Sequence, residues 1–177
     1  DGLGEDDARR PSLLPGWSIG HVLTHLARNA DSVVRRLEGA LAGDVRDQYI
    51  GGEAGRAKDI DAGAGRPLSE LVADVRDTSA AVDELCRRLP AEAWGRMTRN
   101  LSGALQPASH VVFARWREVE VHLVDLGVGY GVDSWPDDLV RAWLPEVLAG
   151  LPGRSDPTRL LAWALGRAGP PELGDWG

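Results

Sequence analysis

This sequence predicts an all-α core, and three observations carry the prediction. Apolar residues recur at spacings of three and four through three long stretches, alternation of period two survives for no more than six residues, and Pro or Gly closes each periodic stretch. With 177 residues, 43% of them hydrophobic, the chain is long enough for one full core and too short for two ordinary domains.

Taken in order, residues 1 to 11 are polar and acidic, and "LLPGWS" leads into the first helix with Ser18 as its expected N-cap. Ile19, Val22, Leu23, Leu26, Ala30, Val33, Leu37 and Leu41 form the stripe of that helix. From about Gly43 to Arg66 the chain is rich in Gly and Asp without a sustained period, so it reads as a long connection. A second helix is expected from about Leu68 to Leu89, where Pro90 ends it, and "AEAWGRM" allows one further turn.

The stretch after Pro107 contains "REVEVHLVDLG", in which residues 118 to 123 alternate as a strand would. Over the longer window Val112, Trp116, Val119, Leu123 and Leu126 fall at spacings of four, three, four and three, so the helix is preferred. Two more helices are expected, at about Pro136 to Ala149 and Pro157 to Arg167.

A net charge of -7 and a pI near 5.1 argue against a nucleic-acid partner, because binding phosphates needs a basic stripe. Apolar runs are short and broken by charge, no signal peptide is visible, and a cytoplasmic protein without a membrane span is expected. Cys86, the single cysteine, cannot form an internal disulfide and reads as a small core residue.

With the helix preferred, Glu118 and His122 stand at i and i+4 on one face, and the first helix offers His21 and His25 at the same spacing. One carboxylate and one or two imidazoles from facing helices suit a divalent metal, and three such ligands would leave a fourth position open, as in catalytic zinc sites. The same spacing serves an ordinary ion pair, and either histidine of the first helix could be a core residue held by a backbone carbonyl. Spacing alone stops short of a reaction.

The stretches "SLLPGWSIGHVLTHLARNAD", "GGEAGRAKDIDAGAGRP", "RWREVEVHLVDLG" and "LLAWALGRAG" resemble, in order and over nearly the whole chain, the mycothiol-dependent maleylpyruvate isomerase family of actinobacteria. The resemblance implies a DinB-like four-helix bundle with a metal site over residues 1–133. It implies a shortened C-terminal helical segment over 134–177, in place of the family's small α/β part. Family members usually carry another helix before "SLLPGW", so the fourth bundle helix is expected from residues upstream of this sequence or from its C-terminal segments.

The resemblance further implies zinc held by His25, Glu118 and His122, with His21 as second choice, and Arg167 in catalysis. Its cofactors would be zinc and mycothiol, and its partners a low-molecular-weight thiol and a small electrophile resembling maleylpyruvate. The reaction implied is cis–trans isomerisation, in which a metal-activated thiolate adds to the double bond and leaves after rotation. A thiol S-transferase using the same site and a non-catalytic metal-binding bundle are the alternatives. Asp125 is read either as acceptor for the free N–H of His122 or as a surface residue at the helix end. Arg115 and Arg117 are read as a solvated pair, with orientation of Glu118 as the alternative.

Overall fold

The computed structural model of the chain describes residues 4–174, which divide into two units, one ending at Val132 and the other beginning at Asp133. The long helix α1 (Ile19–Ala42) is the axis of the first unit. It starts where Ser18 accepts from the His21 backbone N–H while the His21 ring accepts from the Ser18 N–H, a reciprocal cap. It ends at Gly43, whose φ of 81° is the left-handed conformation that glycine adopts without steric cost.

Helices α2 (Gly52–Gly63), α3 (Leu68–Arg88) and α4 (Ala108–Asp125) all pack on α1. Two apolar clusters result. One joins Val33 and Leu37 of α1 to Val82 and Leu85 of α3 and Val111 of α4, and the other joins Ile19, Val22 and Leu26 to Leu68, Leu71 and Leu126. Between them on α1 and α4 lies a layer of buried polar residues, His25, Asn29 and Arg115.

Helix α2 is a correction, because residues 52 to 63 lie inside the stretch read as a connection. The reason is visible in its packing: Ile60 is its only buried residue, so it has no apolar stripe. It approaches α1 through small residues instead. A Cβ on Gly20 would fall 2.1 Å from the Ala64 carbonyl oxygen, and one on Gly63 would fall 2.5 Å from Thr24 Cγ2. Among its described residues the first unit thus holds α1 to α4, with α2 standing in the stretch read as a connection.

Gly20→Ala is expected to destabilise the first unit by about 2–3 kcal/mol, the scale of forcing a methyl group into a packed contact. Gly65→Ala, where a Cβ would meet nothing within 4 Å, is its control and should stay within about 0.5 kcal/mol. Urea unfolding of both variants checks this.

Two three-residue strands, β1 (Met97–Arg99) and β2 (Leu105–Pro107), form an antiparallel hairpin with Thr98 opposite Gln106. They are too short for a period of two to register in the sequence. Arg36, buried in α1, ties the hairpin down by donating to Thr98 Oγ1 (3.0 Å) and Gln106 Oε1 (3.3 Å). Arg96 donates to the Ala40 and Leu41 carbonyls in the last turn of α1.

On α4 the interior line also differs from the apolar stripe. Ala108, Val111 and Arg115 are buried, while Val112, Val119 and Leu123 are partly buried and pack at the edges of the two clusters. The line rotates because Arg115, Glu118 and His122 occupy positions that an apolar count skips.

The second unit contains α5 (Asp137–Gly150) and α6 (Pro157–Ala164), with no strand among its described residues. Asp156 caps α6 by accepting from the Arg159 N–H. The helix closes sooner than the sequence suggests: Gly166 has a φ of 68°, its N–H bonds Trp163 O, and the Arg167 N–H bonds Ala162 O. That paired closure leaves Arg167 just beyond the helix. Among the described residues no helix is long and apolar enough to cross a membrane.

Candidate metal centre

The centre forms where α1 and α4 face each other. His25 is 2% exposed, and its Nε2 stands 2.8 Å from Glu118 Oε2. His122 Nε2 lies 3.5 Å from the same oxygen. The two imidazoles meet edge to face, with ring centroids 4.5 Å apart. One ligand atom from each of His25, Glu118 and His122 lies within 4.8 Å of the other two. Two nitrogens and one carboxylate oxygen converging in this way fit a divalent cation of the zinc type.

The surroundings set the protonation of each group. Burial drives the His25 pKa down, against the hydrogen bond to Glu118, so its imidazole is kept neutral as a ligand must be. Burial alone would raise the Glu118 carboxyl, but hydrogen bonds from His122 and His25 outweigh it and hold the group ionised far below the usual carboxylate range. His122 moves the opposite way: burial would lower its pKa, and the carboxylates of Glu118 and Asp125 raise it.

Asp125 accepts from His122 Nδ1 at 2.8 Å, which decides between its two readings in favour of a residue orienting the imidazole. Trp17, from the entry to α1, packs edge-on to His25 at 5.5 Å between centroids and covers that side of the ring. His21 is not part of the cluster. Its Nδ1 lies 2.7 Å from Ser18 Oγ in the helix cap, and its Nε2 points toward Asp61 at 3.9 Å.

Arg115 corrects the reading of a solvated pair. It is 7% exposed, and its Nη1 donates to the Leu26 carbonyl (2.8 Å) and Asn29 Oδ1 (3.0 Å). A signal for it existed, since it precedes Glu118 by three residues and any helix that turns Glu118 and His122 inward carries Arg115 with them. Glu120 is buried on another face of α4, where it accepts from Trp116 Nε1 and the Tyr130 hydroxyl. Arg56 of α2, which the reading passed over, stands at the cluster with Nη2 3.2 Å from His25 Nδ1. No sequence signal marked it, because its helix carried no period. Arg167 belongs to the second unit and is exposed.

A helical bundle whose facing helices bring two histidines and one carboxylate to a point defines the class: an all-α protein with a candidate three-residue metal centre. The particular family follows. The chain belongs to the family described as mycothiol maleylpyruvate isomerase N-terminal domain, whose model matches residues 1–127. Among solved structures it is similar to the mycothiol-dependent maleylpyruvate isomerase and to a mutant of that enzyme with one histidine changed to alanine. In each case the identity is 26%, the TM-score 0.78, and the alignment covers 82% of this chain and 60% of the other. The chain thus spans less than two thirds of the length of those neighbours. No curated protein matches it.

Proposed function

We propose that this protein is a mycothiol-dependent, zinc-assisted cis–trans isomerase acting on a small acid resembling maleylpyruvate. The observation that carries the reading is the His25–Glu118–His122 cluster, in the bundle of a chain that belongs to this family. His25, Glu118 and His122 would hold the cation, with zinc favoured by the nitrogen and oxygen donors. A cation there supplies acidification of a bound thiol at neutral pH, and the thiol supplies reversible addition to the cis double bond.

The chain's own groups do the positioning. Asp125 accepts a hydrogen bond from the Nδ1–H of His122 and so aims its Nε2 at the cluster. Trp17 keeps water from one face of His25. Arg167 is proposed to hold a substrate carboxylate, a role supported by its place in the "LLAWALGRAG" motif alone. A reduced thiol pool of this kind is cytoplasmic, and we assign the protein there.

Cys86 is outside this chemistry. It is half-buried against the apolar cluster of Val33, Leu37 and Val82, and burial pushes its pKa up and away from the reactive thiolate. Turnover of maleylpyruvate by the zinc-loaded protein should require added mycothiol, leave the thiol concentration unchanged at the end, and survive Cys86→Ser. Stoichiometric consumption of the thiol would make the protein a transferase. An inactive but folded and metal-loaded Cys86→Ser would contradict the external-thiol mechanism.

A further inference from the structure

Helices α1 and α2 leave a cleft of about 520 Å³ between them, with Gln48, Tyr49 and Ile50 of the connecting loop also in its wall. The volume falls in the range of small-molecule sites, roughly 300–1,000 Å³. Arg28, Ser32 and Arg35 line it from α1 and follow His25 at i+3, i+7 and i+10, so the cleft and the metal ligand share one face of that helix. From Arg28 to Arg35 this face runs about 10 Å. Tyr49 joins the two regions, since the Arg56 guanidinium lies over its ring at 5.9 Å and reaches His25 Nδ1 at 3.2 Å.

The lining is polar and balanced in charge. Arg28 and Arg66 both hold Asp74, at 2.7 and 2.5 Å, Arg28 Nε lies 2.9 Å from Asp31, and Arg35 donates to the Asp47 carbonyl at 2.9 Å. With Asp59 on the α2 side, the guanidinium groups of Arg28, Arg35 and Arg66 meet the carboxylates of Asp31, Asp59 and Asp74, so no excess charge calls for an ion. Donors and acceptors stand side by side instead. A hydroxyl suits such a wall, because it donates once and accepts twice. Ile50, 76% exposed, adds apolar surface for the C–H face of a ring.

We infer that this cleft is a binding site for a neutral polyhydroxylated group, a sugar or cyclitol, and that it seats the glucosamine–inositol body of mycothiol while the thiol lies at the metal centre. In that molecule the sugar nitrogen is tied up as an amide to N-acetylcysteine, so the body is uncharged and rich in hydroxyls, with the sulfur at one end. Laid along α1, it puts the sulfur toward His25 and its rings against Arg28, Ser32 and Arg35. The chemical class rests on the lining, whereas the choice of mycothiol rests on the function proposed above.

Two calorimetric measurements on the whole protein separate these. The first uses no metal: N-acetylglucosaminyl-inositol, the body without its cysteine, should bind the wild type saturably, and inorganic phosphate should not. Ala62→Phe, which puts a ring into the cleft from α2, should abolish that binding, and Asp59→Ala should weaken it on the order of tenfold, the scale of one hydrogen bond to a charged group. Asp59 is exposed, so its variant serves should Ala62→Phe fold poorly by circular dichroism. No binding of the sugar probe, phosphate binding in its place, or binding unchanged in the folded variants would overturn the site. The second measurement titrates the zinc-loaded protein with mycothiol and with N-acetylcysteine. Mycothiol should bind more tightly by on the order of tenfold or more, and Asp59→Ala should narrow that gap without changing the affinity for N-acetylcysteine. Equal affinities in the wild type would overturn the seating of mycothiol. Failure of the proposed function itself looks different, as neither thiol would then bind the zinc-loaded protein while the sugar probe still bound.

Discussion

Replacing His122 with alanine is expected to empty the metal centre while leaving the bundle folded. His122 is one of three converging ligands, and zinc sites with three or four ligands draw roughly 10–16 kcal/mol from all of them together. Loss of one should weaken binding on the order of a hundredfold to a thousandfold. The side chain is only partly buried, so its removal opens space toward solvent and leaves the apolar clusters intact. Metal content after dialysis, measured beside circular dichroism, checks this. Asp125→Ala should weaken zinc binding by about 10–100-fold through the freed imidazole. His21→Ala should retain metal and lose only the cap, about 1 kcal/mol of stability. Full metal retention in folded His122→Ala would remove the proposed centre, and metal loss in His21→Ala alone would move it one turn along α1.

Replacing Arg115 with methionine is expected to cost about 3 kcal/mol of stability, the largest loss from any single side chain considered for α4. The guanidinium is buried and bridges the Leu26 carbonyl and Asn29 Oδ1 between the two apolar clusters. Methionine fills much of the volume but leaves the buried Asn29 amide without its charged donor, a loss of about 1.5–3 kcal/mol, and incomplete packing adds to it. For a unit of this size the melting temperature should fall by on the order of 10 °C. Because Arg115 lies one turn before Glu118 on the same face, zinc affinity should fall as well once α1 and α4 lose this bridge. Scanning calorimetry of the metal-free protein and a zinc titration of the variant give the two numbers. A melting point within about 2 °C of wild type would show that Asn29 finds another partner.

Several features were legible because they are local. Ser18, the apolar stripe of α1 and Pro90 state where helices start and stop, since capping and periodicity act within one or two turns. The helical period of α4 was legible once the strand alternation failed at Leu123, and with it the pairing of Glu118 with His122 one turn on, whereas the side of α4 that faces inward was not. Asp125 could be named but not decided, because a residue at a helix end is oriented by its neighbours in space. Helix α2 was hidden by its own means of packing: glycine and alanine in close contact bury little apolar surface and leave no period to count. Spacing did not separate His25 from His21, and it was the family resemblance that favoured His25. Both sit at helical spacing on α1, and only the crossing of α1 with α4 turns His25 toward Glu118 while Ser18 holds His21 in the cap. The sequence by itself determined the helices and the chemical kinds of the ligands, which follow from short-range spacing. Which histidine joins them, which arginines are buried beside them and what approaches from α2 were decided by the packing of helices distant in the chain, a property carried by no single segment.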